Sequence, residues 1–374
     1  MKSTVTIIQE HLPAFRIPFY QKLHSLLAHH GINLRLIYAP NQRNTFLKAN
    51  LDWAEPVPIL WLGPFAWQPV LRKIRGSSLV IVQQEIKYAA NPILQLLAKI
   101  GGPPVAYWGH GRNFQKPVNQ GFSQSLKNIL SRNVHWWFAY NDLSAAIVRD
   151  LGFPPQRITS VGNAIDTTAL IQRNESLTQA EIEITRNTLG IRSENVAVYT
   201  GGLYPNKRID FLIAAAQRVR ATIPDFELII IGDGPERPKV HAAASTHPWI
   251  HEVGPLNDQA KVPYWALAKL LMMPGLVGLV VVDSFALGVP LVTTDYPYHS
   301  PEIDYLKHGV NGLRIACGDS SDTYADAISD LLGNPSELAH LRQQALASAH
   351  DHTIEKMAAS FADGVMEALN FRQL

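Results

Sequence analysis

Short runs of aliphatic and β-branched residues alternate along the chain with helical patterns of roughly ten to fifteen residues, and that alternation predicts parallel sheets crossed by helices. In the first half the strands read Val5–Gln9, Asn33–Tyr38, Leu79–Val82, Val105–Trp108, Trp137–Tyr140 and Ile158–Val161. Between them Ile17–His29 is helical in period and stops at Gly31, and Asn91–Ile100 stops before Gly101 and Gly102. The second half repeats the plan with strands Ala197–Tyr199, Glu227–Ile231, Leu270–Met273 and Leu291–Thr294. Helices are expected near Ile209–Ala221 and Lys239–Ala244, then over Tyr324–Leu332, Ser336–Ser348 and Ile354–Leu369. The turn-rich Val161-Gly-Asn-Ala-Ile-Asp166 places a domain boundary. The expected organisation is an N-terminal domain over 1–163, a C-terminal domain over 164–353, and a last helix over 354–374 that packs back on the first domain. Two Rossmann-like halves of this kind would face a central cleft at their strand ends, where open α/β sheets bind ligands.

The 374 residues are 47% hydrophobic and only 17% charged, enough apolar material for two cores and too little polarity for a disordered chain. A single cysteine, Cys317, excludes a disulfide framework and a thiolate metal cluster, and fits a reducing, cytoplasmic setting. The apolar run at the amino terminus, Val5 to Ile8, is too short for a signal peptide. The uncharged run from Leu270 to Val282 falls short of the ~20 residues that cross a bilayer. Broken by Pro274, Gly275 and Gly278, it reads as a buried strand, a tight turn and a helix.

Charge is divided unevenly. Residues 1–163 hold 17 basic and 6 acidic side chains, a net +11, against −9 for the remainder. The basic half is expected to meet something anionic. Two stretches there mix cations with large apolar groups: Trp61-Leu-Gly-Pro-Phe-Ala-Trp67 leading to Arg72, Lys73 and Arg75, and Lys127 and Arg132 before Trp136 and Trp137. Such mixtures suit an anionic membrane surface; the alternative for each is an amphipathic helix with a solvated face. No nucleic-acid module is visible, so nucleic acid is not expected as a partner.

Three glycine-rich loops follow three strands of the second half: Thr200-Gly-Gly-Leu-Tyr-Pro-Asn-Lys-Arg208, Gly232-Asp-Gly-Pro-Glu236 and Pro274-Gly-Leu-Val-Gly278. Each alone is more often a structural turn. Together, with exposed N–H groups at a helix start and the Lys207–Arg208 pair, they suit a nucleotide diphosphate.

Tyr199-Thr-Gly-Gly-Leu-Tyr-Pro-Asn-Lys207, Ile231-Gly-Asp-Gly-Pro235 and Val277-Gly-Leu-Val-Val-Val-Asp-Ser-Phe-Ala-Leu-Gly-Val-Pro290 resemble the donor-binding half of family 4 retaining glycosyltransferases. Val161 to Asp166 resembles that family's interdomain linker, and Pro301-Glu-Ile through Gly309-Val-Asn-Gly312 its closing segment. The first half is similar in plan more than in motif. The resemblance implies the two-domain GT-B fold, a nucleotide-diphosphate sugar as co-substrate, no further cofactor and no metal.

It also implies residue roles. Lys207 falls on the family's diphosphate-binding lysine. Gly202 stands where an arginine is usual, and Arg208 is the candidate to replace that charge; the bland alternative is a helix cap or a solvated side chain. Gly234, Gly278 and Leu279 belong to the backbone cradle. Asp283 occupies the place of the second signature glutamate, which binds ribose, unless it is a buried structural cap. Gly275 occupies the place of the first, so the sugar-reading carboxylate is missing. Glu302 lies in the closing segment. In the basic half His110 resembles the histidine beside the donor sugar, with Arg112 as a phosphate or acceptor contact. Arg16 is a further candidate there, since the usual glycine-rich loop after the first strand is replaced by His11-Leu-Pro-Ala-Phe-Arg-Ile-Pro18.

The expected reaction is retaining sugar transfer to a hydroxyl of a lipid-linked or oligosaccharide acceptor in cell-surface polysaccharide or glycolipid assembly, on the inner face of the membrane. Two alternatives stand beside it: a nucleotide-sugar epimerase of the same fold, and a degenerate scaffold that binds nucleotide or glycan without turnover.

Overall fold

The computed structural model describes residues 3–40, 51–85, 87–112, 129–257 and 259–371. The chain divides into two compact units, Met1–Asp166 with Ile354–Leu374, and Thr167–Thr353.

In the first unit β1 (Thr4–Gln9), β2 (Asn33–Tyr38), β3 (Ala54–Pro56), β6 (Leu79–Gln83), β7 (Val105–Gly109), β8 (Trp136–Ala139) and β9 (Ile158–Ser160) form one parallel sheet in the order β3-β2-β1-β6-β7-β8-β9. Its inner strands β1, β6, β7 and β8 are buried on both faces, which is why they read as near-continuous apolar runs. Ile7, Trp108 and Phe138 point to one core, and Ile8, Tyr107 and Trp137 to the other, as period-two alternation requires. Helix α1 (Ile17–His29) follows β1, and α2 (Ala90–Lys99) crosses from β6 to β7. The helix Ile354–Asn370 closes the first core. Its Phe361 ring stacks on Phe138 at 4.3 Å, and a Cβ at Gly364 would lie 2.8 Å from Thr159 Cγ2. Glycine there lets the helix seat directly on β8 and β9.

Two expectations fail in this unit. Trp61 to Trp67 is not helical: β4 (Leu60–Leu62) and β5 (Phe65–Trp67) pair as an antiparallel hairpin about Gly63, which has φ 60°. Trp136 and Trp137 are strand residues 2% and 0% exposed, so neither can meet a membrane. Their indole N–H groups are satisfied inside, by Thr159 Oγ1 and the Ser131 carbonyl. Lys127 lies outside the described residues.

The second unit is also a parallel sheet. Its strands β10 (Val196–Thr200), β11 (Glu227–Ile231), β12 (Ile250–Gly254), β13 (Leu270–Met273), β14 (Leu291–Thr294) and β15 (Gly312–Ile315) lie in the order β12-β11-β10-β13-β14-β15. The chain moves outward from β10 through β11 to β12, then returns to β13 on the other side of β10. That reversal is the switch point at which loops diverge and a crevice opens. The run from Leu270 is a buried strand followed by a turn and the helix Val280–Leu287. Among the described residues no helix is long and apolar enough to cross a membrane.

Candidate functional site

The loops after β10 and β13 meet at the switch point of the second unit. The Leu276 N–H donates to the Asn206 carbonyl at 2.8 Å, and Lys207 Nζ donates to the Leu276 carbonyl at 2.5 Å. Between them Gly275 is seated against main chain: a Cβ there would lie 2.5 Å from the Asn206 carbonyl oxygen and 2.6 Å from Lys207 Cα. The missing glutamate is therefore replaced by a backbone-to-backbone contact. Burial lowers the Lys207 ammonium to a pKa of about 8.

The loop after β11 joins the same arrangement. Leu203 N–H donates to the Asp233 carbonyl at 2.9 Å, and Glu236 N–H to the Leu203 carbonyl at 2.9 Å. Gly234, at φ 152°, fits because a Cβ would meet the Leu203 carbonyl oxygen at 2.5 Å. Gly202 is half-buried, its carbonyl accepting from the Tyr199 hydroxyl at 3.0 Å.

Gly278 and Leu279 open the helix Val280–Leu287 and are half-buried, between the fully buried Val277 and Val281. Both are thus partly open to solvent, at a helix start that favours an anion. The preceding peptide is clamped from both sides: Val277 N–H donates to His299 Nδ1 at 3.0 Å, and the Val277 carbonyl accepts from Ser300 N–H at 2.9 Å. His299 Nε2 lies 3.0 Å from the Thr294 carbonyl oxygen, which assigns the proton to Nε2 and leaves Nδ1 as acceptor. Burial holds this imidazole down at a pKa of about 4. His299 was not anticipated from the sequence.

Asp283 is 6% exposed, and its Oδ2 accepts from Lys261 Nζ at 2.8 Å; Lys261 itself is 4% exposed. The predicted ribose carboxylate is thus half of a buried ion pair whose cation the sequence did not single out. Glu302 is buried in the short turn Pro301–Tyr305. Arg208 is not aimed where Lys207 is: its guanidinium reaches Asp319 Oδ1 at 2.8 Å and the Gly318 carbonyl at 3.3 Å, and lies 4.0 Å from the Phe211 ring centre. It is the one non-glycine among the described residues with positive φ, 57°.

In the first unit His110 follows β7 at the carboxyl edge of the sheet, half-buried, with its ring 4.0 Å from that of Tyr140. Gln84 fixes the turn beyond it, donating to the Gly111 carbonyl and accepting from Gly111 N–H, each at 3.1 Å. Arg112 next to it is exposed. Arg16, proposed above as a ligand contact, is a buried staple instead: 8% exposed, it donates to the Ala164 carbonyl at 3.1 Å and to Asn163 Oδ1, and touches Met357 Sδ. It ties the end of α1's entry turn to residues 163–164 and to the last helix. At the switch between β1 and β6, Glu10 Oε2 accepts from Lys87 Nζ at 2.7 Å and from the Tyr88 hydroxyl at 2.5 Å.

Two Rossmann-like parallel units, the second with glycine-built loops interlocked around a lysine at its switch point, define the GT-B class of glycosyltransferase fold. Residues 194–334 match the family described as glycosyl transferases group 1. An exopolysaccharide phosphotransferase of Streptomyces coelicolor is 31% identical over 150 residues, 38% of this chain and 15% of that protein. EpsD of Bacillus subtilis, whose name includes the word glycosyltransferase, is 26% identical over 311 residues, 74% of this chain and 76% of that protein. The crystal structure of Anabaena HepE in complex with UDP-glucose matches with a TM-score of 0.72 at 17% identity, over 97% of this chain and 99% of that one. The chain thus spans a small part of the first relative and about three quarters of the second.

Proposed function

We propose that the chain is a retaining glycosyltransferase that moves a sugar from a nucleotide-diphosphate sugar to a hydroxyl of an oligosaccharide or lipid-linked acceptor. The observation that carries this reading is the joining of the β10 and β13 loops, which sets the Lys207 ammonium beside the turn leading to the Gly278–Leu279 helix start. A diphosphate seated there would receive one full positive charge and two peptide N–H groups. The costly event is cleavage of the bond between the anomeric carbon and the diphosphate oxygen, whose electron pair leaves with the diphosphate. Lys207 and the peptide dipoles meet that growing charge, an arrangement worth about 10²–10³ in rate per donor. The acceptor hydroxyl attacks from the face the diphosphate leaves, and its proton passes to the departing phosphate oxygen. The reaction so written needs no metal and no covalent carboxylate intermediate.

Asp283 would receive the ribose hydroxyls while keeping Lys261 as its counter-charge. Arg208 would add charge to the diphosphate by giving up Asp319, whose side chain is fully exposed. The exchange would also give up the Gly318 carbonyl bond of a guanidinium side chain that is itself 15% exposed. His110 and Arg112 are proposed as the first unit's contribution to donor sugar and acceptor. HepE with UDP-glucose makes UDP-glucose the first donor to test. The Streptomyces relative, named for exopolysaccharide, makes that the first acceptor class to test.

A thermal-shift screen of nucleotide diphosphates and their sugars, followed by mass spectrometry with an acceptor panel, tests the reading. A new glycoside supports transfer, a nucleotide sugar of unchanged mass but altered chromatographic retention supports the epimerase, and binding without product supports a scaffold. No shift with any nucleotide would remove the reading altogether.

A further inference from the structure

The hairpin β4–β5 is rooted in the first unit and apolar at its tip. Ala66 is 1% exposed, and its N–H and carbonyl bond the Lys87 carbonyl at 2.7 Å and the Ala89 N–H at 3.0 Å. Leu60, Trp61, Leu62 and Phe65 stand out by contrast, at 56%, 55%, 67% and 50% exposure. Four large apolar side chains within six residues, on a two-stranded element, make the kind of patch that marks a docking surface.

The root leads directly into α2, which continues the pattern. Ile93, Leu96 and Ile100 are exposed at 37%, 62% and 74%. Their spacing of three and four residues places them on one helical stripe. From Leu60 to Ile100 the chain carries five basic residues, Arg72, Lys73, Arg75, Lys87 and Lys99, against one acidic residue, Glu85. Lys87 Nζ lies 5.9 Å from the Trp61 ring centre. Beyond α2, a groove of about 470 Å³ is lined by Lys99, Arg132, His135 and Arg157 with no acidic residue. Because α2 crosses from the end of β6 to the start of β7, the apolar stripe runs from the hairpin at the carboxyl edge of the sheet to this groove at the amino edge.

We propose that the β4–β5 hairpin and the exposed stripe of α2 dock the first unit on an anionic lipid bilayer, with Trp61, Leu62 and Phe65 entering the interface. Trp and Phe suit the boundary between headgroups and acyl chains, and the surrounding cations match anionic lipid. Charge argues for this occupant: Lys73 and Lys87 pair with Glu55 and Glu10, yet the stretch still carries Arg72, Arg75 and Lys99 against Glu85, and the groove adds Arg132 and Arg157 with no acid. The hairpin stands at the same sheet edge as His110, so docking would present the acceptor side to a lipid-linked substrate. That last consequence rests on the transferase reading; the docking itself does not.

The test uses the full chain and sucrose-loaded vesicles of phosphatidylcholine, with and without one third phosphatidylglycerol. Wild type is expected to sediment with the anionic vesicles at low salt and to be released as salt rises. A W61S/L62S/F65S variant, altered only at exposed positions, should melt as wild type does and bind more than about tenfold less tightly. Brominated lipid should quench part of the wild-type tryptophan emission, and that part should vanish in W61F while sedimentation persists. Equal sedimentation of the triple variant, no wild-type sedimentation at low salt, or a wild-type dimer that the triple variant abolishes without any vesicle binding would each overturn the proposal. Nucleotide binding is not read in any arm, so failure here leaves the transferase reading standing, and the reverse holds.

Discussion

The imidazole of His299 accepts the amide hydrogen of Val277 at 3.0 Å, and so holds the peptide immediately before Gly278. Its pKa of about 4, against an ordinary 6.5, means that the unfolded chain takes up a proton before the native state does. The stability it contributes is complete above about pH 6.5 and is lost as pH falls toward 4. A separation of this size corresponds to about 3 kcal/mol at its limit. Thermal melts between pH 7 and 4 should show the second unit losing stability over that window, and H299Q, which cannot titrate, should flatten the slope.

Lys207 titrates near pH 8, and only its charged form can attract a diphosphate. Nucleotide affinity should therefore fall as pH rises through about 8, with proton uptake on binding above that pH. Calorimetry in buffers of differing ionisation enthalpy measures the uptake. K207A should remove the pH dependence and weaken nucleotide binding with little effect on the melting temperature.

Restoring the family's first glutamate should not restore anything. A side chain at position 275 would drive into the Asn206 and Lys207 backbone, and overpacking against main chain costs about 1–3 kcal/mol or more. G275E should lower the melting temperature and weaken nucleotide binding; G275A should do the same to a smaller degree. An active, fully stable G275E would show that the two loops are not held as described.

Asp283 and Lys261 should behave as a coupled pair. Removing either partner leaves the other charge buried, a loss of about 3–5 kcal/mol. D283N and K261M should each destabilise strongly, and the double variant should lose less than their sum in a double-mutant cycle. For the ribose role, nucleotide affinity measured below the melting transition should fall in D283N.

Phe361 carries the seat of the last helix. Truncation to alanine removes a fully buried ring stacked on Phe138, at a cost of about 3–5 kcal/mol to the first unit. Urea unfolding should show that loss while nucleotide binding to the second unit is unchanged.

Much of the fold was legible because interior parallel strands announce themselves. Glu227–Ile231, Leu270–Met273 and Leu291–Thr294 are buried on both faces at all but Glu227 and were read to the residue. The edge strands β12 and β15 were not, because His251, Glu252 and Arg314 break the apolar run where one side of the strand meets solvent. The hairpin was misread because its apolar mass suggested a helix, although Gly63-Pro64 marked a turn. At the site, the glycine loops and Lys207 were visible because their chemistry is local. Lys261 and His299 were invisible because each acts on a residue 22 positions away, and nothing near either announces a partner. Arg16 misled for the same reason, since Asn163 is 147 positions distant.

The return of Ile354–Asn370 to the first unit has a consequence for biosynthesis. On the ribosome, residues 167–353 emerge as a complete sheet with its helices while the earlier unit still lacks one wall, leaving Phe138, Trp108 and their neighbours uncovered until the helix Ile354–Asn370 is translated. The unit whose translation begins earlier is therefore the one whose core closes later, and in that interval its uncovered apolar face is open to association.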